Sequence, residues 1–431
     1  MMKQDIGIGL LGLVVIGSGV ANILLNKVDT LTEKVGAPLV LKKILIHDII
    51  KKRLVVTDPS LLTTNVEDVI DNPEVDIVIE LIGGERPALD YIKQALANGK
   101  HVVTANKEII AKYGYDLLAL ASKHRTYLRY EASVGSGIPL ISSLQQDLAA
   151  NEISTIYGIL NGTTNYVLTK MSHEGLSFSA ALQQAQKLGY AEANPSNDIQ
   201  GTDAAYKLAI LSSLAFHTII DPKDIYCQGI SHLEAQDFRY AREFGYTIKL
   251  LAIAKRQGDS IEVRVHPSFI PQESQLAKVD DVYNAVQVEG DLAGKVIFYG
   301  EGAGSLRASS AVIADVLAIA GNVRNMIGNV TEPQINQNLD VQAISELHTR
   351  YYFRLKVADR PGVLAQISKA LGDNDISISS VIQKESDLTS QTAVLVIMTH
   401  CAQEKAVQKA LADLHSLELV QEVSNFIRVE A

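Results

Sequence analysis

Short runs of consecutive apolar residues alternate along the chain with segments whose apolar residues recur every three or four positions. A continuous apolar run is typical of a parallel strand covered on both faces, whereas a helical period indicates an amphipathic helix. The runs are, in chain order, IGIGLLGL, LVLKKILIHD, VDIVIELI, HVVTA and TYLRYEAS. Helical patterns such as ALDYIKQALANG and EIIAKYGYDLLALASKH separate them. This alternation predicts an α/β fold whose first part is a doubly wound parallel sheet.

The first apolar stretch has a second interpretation. Residues 6–26 include no charged residue, and they are long enough to span a bilayer or to act as a signal anchor after Lys3. The stretch contains five glycines, however, and alternating strand and helix patterns follow it. We therefore expect a strand, a turn and a helix, with no membrane partner.

The segment after about Asn338 has a different order of periods. Strand, helix, strand, strand, helix and strand are predicted across RYYFRLKVADRPGVLAQISKALGDNDISISSVIQKE, TAVLVIMTH, EKAVQKALADLHSL and LVQEVSNFIRVE. This order is that of a ferredoxin-like fold. The DRPG turn opens the first helix of this module, and its predicted apolar stripe consists of Val363, Leu364, Ile367 and Leu371.

Composition narrows the function classes. A chain of 431 residues corresponds to about three domains. The net charge of -10 argues against a nucleic-acid partner, because phosphate binding draws on clustered Lys and Arg. Cys227 and Cys401 lie far apart and have no metal-binding spacing, which predicts a cytoplasmic protein with reduced thiols, although one disulfide between them is also compatible with the sequence.

A glycine pattern near the start indicates a Rossmann-like dinucleotide-binding turn. The literal G-x-G-x-x-G at Gly7, Gly9 and Gly12 leaves too short a strand before the turn, so residues 12–17 are the better candidate. In that register Val14 occupies the position where a second glycine would let the backbone approach a pyrophosphate, and we expect lowered affinity or a rebuilt loop. The predicted cofactor contacts of this turn are Gly12, Leu13, Val14, Val15, Ile16 and Gly17.

A charged cluster in LGYAEANPSNDIQGTDAAYKLA, residues 188–209, is the strongest indication of chemistry. Asp203 and Lys207 are four residues apart, so they share one face if this segment is helical, with Gly201 and Thr202 at its start. Together with Glu192 and Asp198, they suit a substrate that carries an amino group and a hydroxyl or carbonyl group. The simpler alternative is an exposed Asp–Lys pair on a solvated helix, worth only about 0.3–0.5 kcal/mol.

Four motifs resemble the homoserine dehydrogenase family in its long form with a regulatory tail. They are TANKEIIA, EASVGSGIPL, GILNGTTNYVLTKM and the charged-cluster segment, and the resemblance extends over nearly the whole chain. It implies NAD(P)-dependent interconversion of L-homoserine and L-aspartate 4-semialdehyde in threonine and methionine biosynthesis.

The resemblance also implies roles for individual residues. Lys207 would be the general acid and base, and Lys107 would lie beside cofactor and substrate. Glu192 and Asp198 would receive the substrate's amino group, while Asp203 would steady Lys207 or share that task. A lysine suits proton transfer only if burial or a neighbouring cation lowers its pKa, whereas carboxylates act in the opposite direction.

Further positions follow from the same resemblance. A sodium ion would be held by the Glu131 carboxylate and the backbone carbonyls of Val134, Ser136 and Ile138, since a hard cation prefers oxygen ligands. Without the resemblance, a simple glycine-rich bend is the favoured interpretation. Gly302 would lie near the nucleotide, although Arg307 and Ala308 replace the proline and threonine common in the family.

Two local questions stay open at the level of sequence. Thr163 and Thr164 can cap the helix after the strand that ends at Asn161, which is more economical than ligand binding there. The second strand ends at His47 and Asp48, which favours NAD, whereas the following Lys51, Lys52 and Arg53 favour NADP. The cofactor is therefore NADP or NAD.

Three domains are expected. The nucleotide-binding domain occupies residues 1–130 and is completed by 303–335, an α+β substrate-binding and dimerisation domain occupies 131–302, and residues 350–431 resemble an ACT domain. The resemblance implies L-threonine as effector near the DRPG turn and a homodimer or homotetramer, while a module that only dimerises is the alternative. Apart from sodium, no metal is predicted.

Two rival functions differ in class from this one. A phosphorylating aldehyde dehydrogenase needs a thiolate nucleophile, and neither Cys227 nor Cys401 has a suitable sequence setting. A cofactor-impaired, amino-acid-binding regulatory protein would result if Val14 had destroyed the nucleotide site.

Overall fold

The structure is a computed structural model that describes residues 4–48, 58–325, 339–387 and 391–430. Its strands are β1 Ile6–Leu11, β2 Leu39–Leu45, β3 Leu62–Thr63, β4 Ile77–Glu80, β5 His101–Thr104, β6 Leu128–Arg129, β7 Ile153–Ile159, β8 Tyr226–Cys227, β9 Tyr246–Gln257, β10 Ser260–Pro271, β11 Tyr283–Gly290, β12 Gly294–Glu301, β13 Asp340–Val341, β14 His348–Ala358, β15 Ile378–Asp387, β16 Thr392–Thr399, β17 Ala402–Gln403 and β18 Val420–Val429. Its helices are α1 Val15–Asn26, α2 Val28–Val35, α3 Glu67–Ile70, α4 Ala88–Ala97, α5 Lys107–Lys123, α6 Gly162–Glu174, α7 Phe178–Lys187, α8 Ser196–Ile199, α9 Thr202–Ala215, α10 Ala235–Glu243, α11 Ser305–Arg324, α12 Val363–Gly372 and α13 Glu404–Ser416.

The chain divides into two compact units. The first falls within residues 1–153, 209–222 and 290–338, and the second within 154–208, 223–289 and 339–431. The chain returns to the first unit with residues 290–338, which include α11. The three-domain boundaries stay a prediction.

The first unit contains a six-stranded parallel sheet in the order β3-β2-β1-β4-β5-β6. Strand β1 is buried along its whole length, as its uninterrupted apolar run requires. Helices α1 and α11 pack in the same hydrophobic core, which includes Val20, Leu24, Val312 and Val316. The predicted Rossmann-like, doubly wound sheet is confirmed.

The membrane interpretation of residues 6–26 is wrong in this fold. The stretch divides into β1 and the 12-residue helix α1, because the turn after Leu11 interrupts it. Among the described residues, one helix, Ser305–Arg324, is long and apolar enough to cross a membrane by length and composition, and half of its apolar window is buried inside the protein. A core helix satisfies the same criteria.

The second unit is built on an extended sheet. Within it the strand order is β11-β7-β9-β10-β18-β14-β16-β15, with β8 and β13 also paired to β10 and β17 to β14. Strands β9 and β10 form a long antiparallel hairpin. The last strand, β18, lies parallel to β10, with Ser268 opposite Arg428. The carboxyl-terminal module therefore continues the sheet of the preceding residues.

The carboxyl-terminal module has the predicted strand and helix order, β14-α12-β15-β16-α13-β18. Helix α12 begins at Val363, after Gly362, and buries Val363, Ile367 and Leu371 against the sheet. The predicted stripe was one residue too wide, because Leu364 is 44% exposed. Seven residues make nearly two helical turns, so Leu364 points almost in the direction of the buried Leu371. It is exposed because it lies in the first turn of α12, directly after the exposed DRPG residues.

Candidate active site

Lys207 and Asp203 lie on one face of α9, as their spacing predicts. The Lys207 Nζ donates hydrogen bonds to Asp203 Oδ2 and to the carbonyl oxygen of Leu160, both at 2.7 Å. The two side chains are only 13% and 5% exposed, so the pair is not the solvated surface pair that the simpler alternative described. Since Leu160 follows β7 directly, the ammonium is held between a strand end and a helix start.

Asn161 connects the acidic residues of the cluster. Its Nδ2 donates to Asp198 Oδ1 at 2.7 Å and to Asp203 Oδ2 at 2.9 Å. Its Oδ1 accepts from the backbone N–H of Thr164 at 2.9 Å, which makes Asn161 the N-cap of α6. One buried amide therefore fixes a helix end and two carboxylates at once.

The prediction that Thr163 or Thr164 caps this helix is wrong. The Thr163 hydroxyl donates instead to the carbonyl oxygen of Tyr190 at 2.6 Å, and the Thr164 hydroxyl donates to that of Asn161. Asn161 has the better position, because an N-cap side chain must precede the first helical residue, Gly162. The sequence signal for it was the Asn-Gly-Thr-Thr pattern directly after an apolar strand.

Glu192 stands apart from these residues. It lies in the loop between α7 and α8, where its side chain is exposed, while its carbonyl oxygen accepts from the side chain of Gln186 at 3.2 Å. Asp198, in the short helix α8, is half-buried. Of the four residues predicted to cluster, the structure brings Asp198, Asp203 and Lys207 together through Asn161, and it leaves Glu192 at the surface.

The glycine-rich turn of the first unit starts at Gly12, immediately after β1. Gly12 has a φ of +98°, which an L side chain rarely adopts. A Cβ at Gly17 would lie 2.0 Å from the carbonyl oxygen of Gly12, so only glycine permits the close packing of helix and turn. Gly7 and Gly9 lie inside β1, which confirms the register over residues 12–17.

Val14 is the N-cap residue of α1, and its side chain is 66% exposed. The branched side chain therefore does not disturb the core, and it stands at the helix end where a pyrophosphate would bind. Leu13 is buried and Ile16 packs against the core, whereas Val15 is 65% exposed. The turn therefore leads from β1 into α1 with an exposed valine in place of the second glycine.

The start of α11 packs against this turn within the same unit. The Ser305 hydroxyl donates to the Val15 carbonyl oxygen at 2.8 Å, and the Ser309 hydroxyl donates to that of Ile16 at 3.2 Å. Gly302, just before α11, is buried. Arg307, at the position where the family commonly has proline, forms an ion pair with Glu301.

A second network, which the sequence did not reveal, lies at the ends of β4 and β5. The Thr104 hydroxyl donates to Glu80 Oε2 at 2.6 Å, and Asn106 Nδ2 donates to the carbonyl oxygen of Gly84 at 2.7 Å. Burial raises the pKa of the Glu80 carboxyl. Asn106 also caps α5, whose first residue is Lys107. This network fixes the backbone from which Lys107 projects.

The structure describes two of the five residues predicted to select between NAD and NADP. His47 and Asp48 follow β2 and are exposed. Lys51, Lys52 and Arg53 lie outside the described residues.

The Glu131 carboxylate caps a helical turn. It is buried and accepts backbone N–H bonds from Leu140 at 2.8 Å, Ile141 at 2.9 Å and Ser142 at 2.7 Å. The predicted carbonyl ligands Val134, Ser136 and Ile138 belong to the loop between these positions. The described residues include no group of three or more His, Cys, Asp or Glu that could hold a metal. Glu131 N donates to Asp315, whose pKa burial raises to about 7.

Three family models match this chain in succession. They are the homoserine dehydrogenase NAD-binding domain over residues 12–131, homoserine dehydrogenase over 139–317, and the ACT domain over 351–419. The chain is 40% identical to homoserine dehydrogenase of Bacillus subtilis, with 99% of each protein covered. The chain belongs to the homoserine dehydrogenase family.

Other relatives agree along the full length. Homoserine dehydrogenase of Helicobacter pylori is 42% identical, with 100% of both chains covered. The crystal structure of a homoserine dehydrogenase from Thiobacillus denitrificans matches with a TM-score of 0.92 and 41% identity, covering 99% of each chain. A hyperthermophilic archaeal homoserine dehydrogenase in complex with NADPH shares the fold, with a TM-score of 0.63 and 24% identity over 76% of this chain and all of that one.

Family membership decides between the functions that the sequence left open. The protein is an NAD(P)-dependent oxidoreductase that interconverts L-homoserine and L-aspartate 4-semialdehyde, and it carries an ACT regulatory domain. Cys227 and Cys401 are free cysteines and do not form the disulfide that the sequence allowed. Burial raises the pKa of the Cys227 thiol to about 11, which does not suit the nucleophile of a phosphorylating aldehyde dehydrogenase.

Proposed function

We propose that Lys207 exchanges the proton of the reacting hydroxyl. In the oxidation direction, its neutral amine takes the hydroxyl proton while the hydride leaves the same carbon for the nicotinamide, which supplies the two-electron acceptor. The observation that carries this proposal is the double anchoring of Nζ by Asp203 and the Leu160 carbonyl oxygen. Because the two N–H bonds of the neutral amine point at fixed acceptors, its lone pair points in one defined direction.

The acidic residues would hold the amino group of the substrate. Asp198 is half-buried beside Asn161, so its carboxylate is accessible to a ligand. Asp203 would steady Lys207 rather than bind substrate, because its Oδ2 already accepts from Lys207 and Asn161. Glu192 would contribute only if its exposed loop moves when substrate binds, a kind of change common in dehydrogenases that exclude water.

Lys107 would stabilise the bound cofactor and substrate from the start of α5. The nucleotide itself would contact residues 12–17 and Gly302, where the amino terminus of α1 offers backbone donors to a phosphate. Asp48 would accept a hydrogen bond from the free ribose hydroxyl of NAD. Lys51, Lys52 and Arg53, which follow soon after it, would instead favour the extra phosphate of NADP, so the proposal includes both cofactors.

The sodium site would use the remaining capacity of Glu131. A carboxylate offers about four acceptor sites, and three are taken by backbone N–H groups, so one stays available beside the carbonyl oxygens of Val134, Ser136 and Ile138. The oxygen-only donor set fits a monovalent cation. Its role would be to stiffen the loop rather than to act on substrate.

The proposal includes four further expectations. They are regulation by L-threonine, assembly as a homodimer or homotetramer, the three-domain boundaries and a cytoplasmic location. The ACT family match and the exposed DRPG turn support an amino-acid effector. Removing everything after Asn338 is a poor test of that effector, because it would also remove β18, which pairs with β10. Threonine inhibition should instead be compared between the full chain and the Arg360→Ala variant.

The deciding experiment is a spectrophotometric assay with L-homoserine, with NADP and NAD compared and with sodium present or replaced by a bulky cation. We expect turnover that rises with sodium and that Lys207→Ala abolishes. Turnover that is independent of Lys207 would refute the assignment, and turnover in wild type that ignores sodium would refute only the cation site.

A further inference from the structure

Glu80 ends β4 at the carboxyl edge of the parallel sheet, and its side chain is fully buried. In the strand register it lies between Leu11, the last residue of β1, and Thr104, the last residue of β5. The chain order of the sheet reverses between β1 and β4. Open α/β sheets bind ligands in the crevice outside the carboxyl ends of their strands at such a point. Glu80 therefore lies at the base of the crevice where a dinucleotide is expected.

The Glu80 carboxylate connects the two loops that leave β4 and β5. On the β4 side, Oε1 accepts from the backbone N–H groups of Ile82 at 2.7 Å and Gly83 at 3.3 Å. On the β5 side, Oε2 accepts from the Thr104 hydroxyl at 2.6 Å. The Thr104 oxygen in turn accepts from the backbone N–H of Asn106 at 3.0 Å. One carboxylate thus fixes the position of each loop relative to the other.

The bond between Thr104 and Glu80 has a fixed direction. Because the Thr104 oxygen accepts from Asn106, its own proton is directed at Glu80, so position 80 must offer an acceptor there. A carboxylate presents acceptors on both of its oxygens, whereas an amide presents one acceptor and one donor group. An amide of nearly the same shape at position 80 would therefore break one side of the connection and leave the buried volume almost unchanged.

Asn106 ties the two loops together a second time. Its Nδ2 donates to the Gly84 carbonyl oxygen at 2.7 Å, and its Oδ1 accepts from Ile109 N at 3.2 Å, which caps α5. Lys107 follows directly as the first residue of that helix, and it is half-buried. The backbone of Lys107 is therefore placed by the loop residues that Glu80 holds.

Packing does not fix the outer part of the loop after β4. Gly83 and Gly84 have φ values of +81° and +71°, and a Cβ at either position would meet no atom of the described part of the chain within 4 Å. Both glycines are exposed, and glycine restricts the backbone least of all residues. The hydrogen bonds to Glu80 and Asn106 therefore determine where this segment lies.

The inner part of the same loop is held independently of the Glu80 side chain. Leu81 N donates to the Leu11 carbonyl oxygen at 2.8 Å. The Leu81 carbonyl oxygen lies only 2.8 Å from the place that a Cβ of Gly12 would occupy, so the two backbones are in contact. Loss of the Glu80 contacts should therefore loosen the Lys107 side of the crevice and leave the glycine turn in place.

We propose that Glu80 is a positioning residue of the reaction, which holds Lys107 at the cofactor crevice through its oriented bond to Thr104. Because its side chain is fully buried, Glu80 acts through Lys107 and not on the substrate, so this inference rests on the role proposed for Lys107. A carboxylate in a buried strand costs free energy that a fourth apolar residue after the Ile-Val-Ile run of β4 would not cost. The loops that the carboxylate connects account for its presence there.

Full-length variants test this role. Glu80→Gln replaces the carboxylate by an amide, Thr104→Val removes the hydroxyl without changing a charge, and Thr104→Ser restores the hydroxyl. Glu74→Gln, at an exposed carboxylate in the loop before β4, is the matched control. Circular dichroism and urea unfolding verify the folding and the stability of each variant, and Thr104→Val tests the same bond if Glu80→Gln is unstable.

Hydrogen exchange in the protein without cofactor gives a result that does not depend on turnover. Mass spectrometry of peptides that cover residues 80–86 and 104–108 follows the backbone N–H groups that bond to Glu80 and Thr104. These groups should exchange at least about tenfold faster in Glu80→Gln than in wild type, because each loses a fixed acceptor or its support. Exchange at the wild-type rate would overturn the proposal.

Steady-state kinetics separates positioning from simple stabilisation. Glu80→Gln and Thr104→Val should each lower kcat by about tenfold or more, because a displacement of about 1 Å at a positioned group can cost about 100-fold. Thr104→Ser should recover most of the loss, and Glu74→Gln should behave as wild type. The dissociation constant of NADPH or NADH should change less than about threefold, since the glycine turn stays in place. Lower stability with an unchanged kcat would overturn the proposal.

Combination with Lys107→Ala distinguishes this inference from the role proposed for the lysine. If Glu80 acts through Lys107, Glu80→Gln should lower kcat by less than about twofold in the Lys107→Ala background, because the effects of coupled residues are not additive. An equal fall in both backgrounds would overturn this inference alone. Wild-type kcat in the Lys107→Ala variant would refute the role of Lys107 and, with it, the positioning by Glu80.

Discussion

The Asp203 carboxylate holds the Lys207 ammonium at 2.7 Å across one turn of α9. The same Asp203 oxygen accepts from Asn161, which begins α6. Two helices and the end of β7 therefore meet at a single carboxylate oxygen. The proposed catalytic cluster is consequently held as firmly as the elements that supply it, and such placement is what the proposed proton transfer would require.

Replacing the amine is the direct test of the proton step. Lys207→Ala should lower kcat by at least about 100-fold, because it removes the group that exchanges the proton. Cofactor affinity, measured by the fluorescence of NADPH or NADH, should stay near the wild-type value. The control is Lys187→Ala, an exposed lysine at the end of α7, which should leave both quantities unchanged. Normal turnover by the Lys207 variant would disprove the assignment.

Asn161 offers a pair of variants that separate structure from catalysis. Asn161→Asp keeps the oxygen that caps α6 but removes the amide donor to Asp198 and Asp203, whereas Asn161→Ala removes both functions. Both variants should lower kcat by about tenfold or more, since hydrogen bonds to charged groups contribute about 1.5–3 kcal/mol. Asn161→Ala should also lose about 1 kcal/mol of stability from the lost cap. Asn161→Asp keeps the cap, but it should be destabilised because it sets a third carboxylate against Asp198 and Asp203 in a buried site.

Urea unfolding and steady-state kinetics measure the two effects. Wild-type stability of Asn161→Asp, with unchanged kcat in both variants, would mean that Asn161 serves the helix end and nothing else.

The valine in the nucleotide turn gives a third prediction. Val14→Gly should tighten the binding of NADPH or NADH, because it removes a branched, exposed side chain from the helix end proposed to bind the pyrophosphate. Equilibrium titration followed by fluorescence gives the dissociation constants. Leu25→Ala, an exposed apolar residue further along α1, is a control for nonspecific effects. Unchanged or weaker affinity in Val14→Gly would mean that the phosphates follow another path.

Glu430 predicts a dependence of stability on pH. Burial alone would raise the pKa of this carboxyl, but Arg264 and Lys255 outweigh burial and bring the pKa down to about 2. An unfolded Glu titrates near 4.3. The stabilisation is therefore complete above about pH 4.3 and is lost as the pH falls through about 2.

The matched variant for this effect is Glu430→Gln. It should lower the free energy of unfolding by about 3 kcal/mol near neutral pH, because it leaves Arg264 and Lys255 without their shared carboxylate in a buried site. It should also flatten the loss of stability between about pH 4.3 and 2. Urea unfolding at several pH values measures both, and an unchanged acid limb in the variant would contradict the prediction.

Local pattern was enough to predict the elements. The buried runs of β1 and β4 identified a parallel sheet, since only strands covered on both faces are apolar throughout. The four-residue spacing of Asp203 and Lys207 identified a shared helix face, because helical geometry fixes which neighbours meet. Periodicity also identified the carboxyl-terminal module, although the predicted apolar stripe included Leu364, which is exposed.

The sequence by itself therefore determined the types of the elements, the glycine turn and half of the proposed catalytic cluster, because each depends on residues within a few positions of one another. Only the tertiary structure decided that Asn161 reaches Asp203 from 42 positions away, that Glu192 stays at the surface, and that β18 continues the sheet at β10. Contacts of that kind depend on how strands and helices pack in three dimensions, and no local period records them.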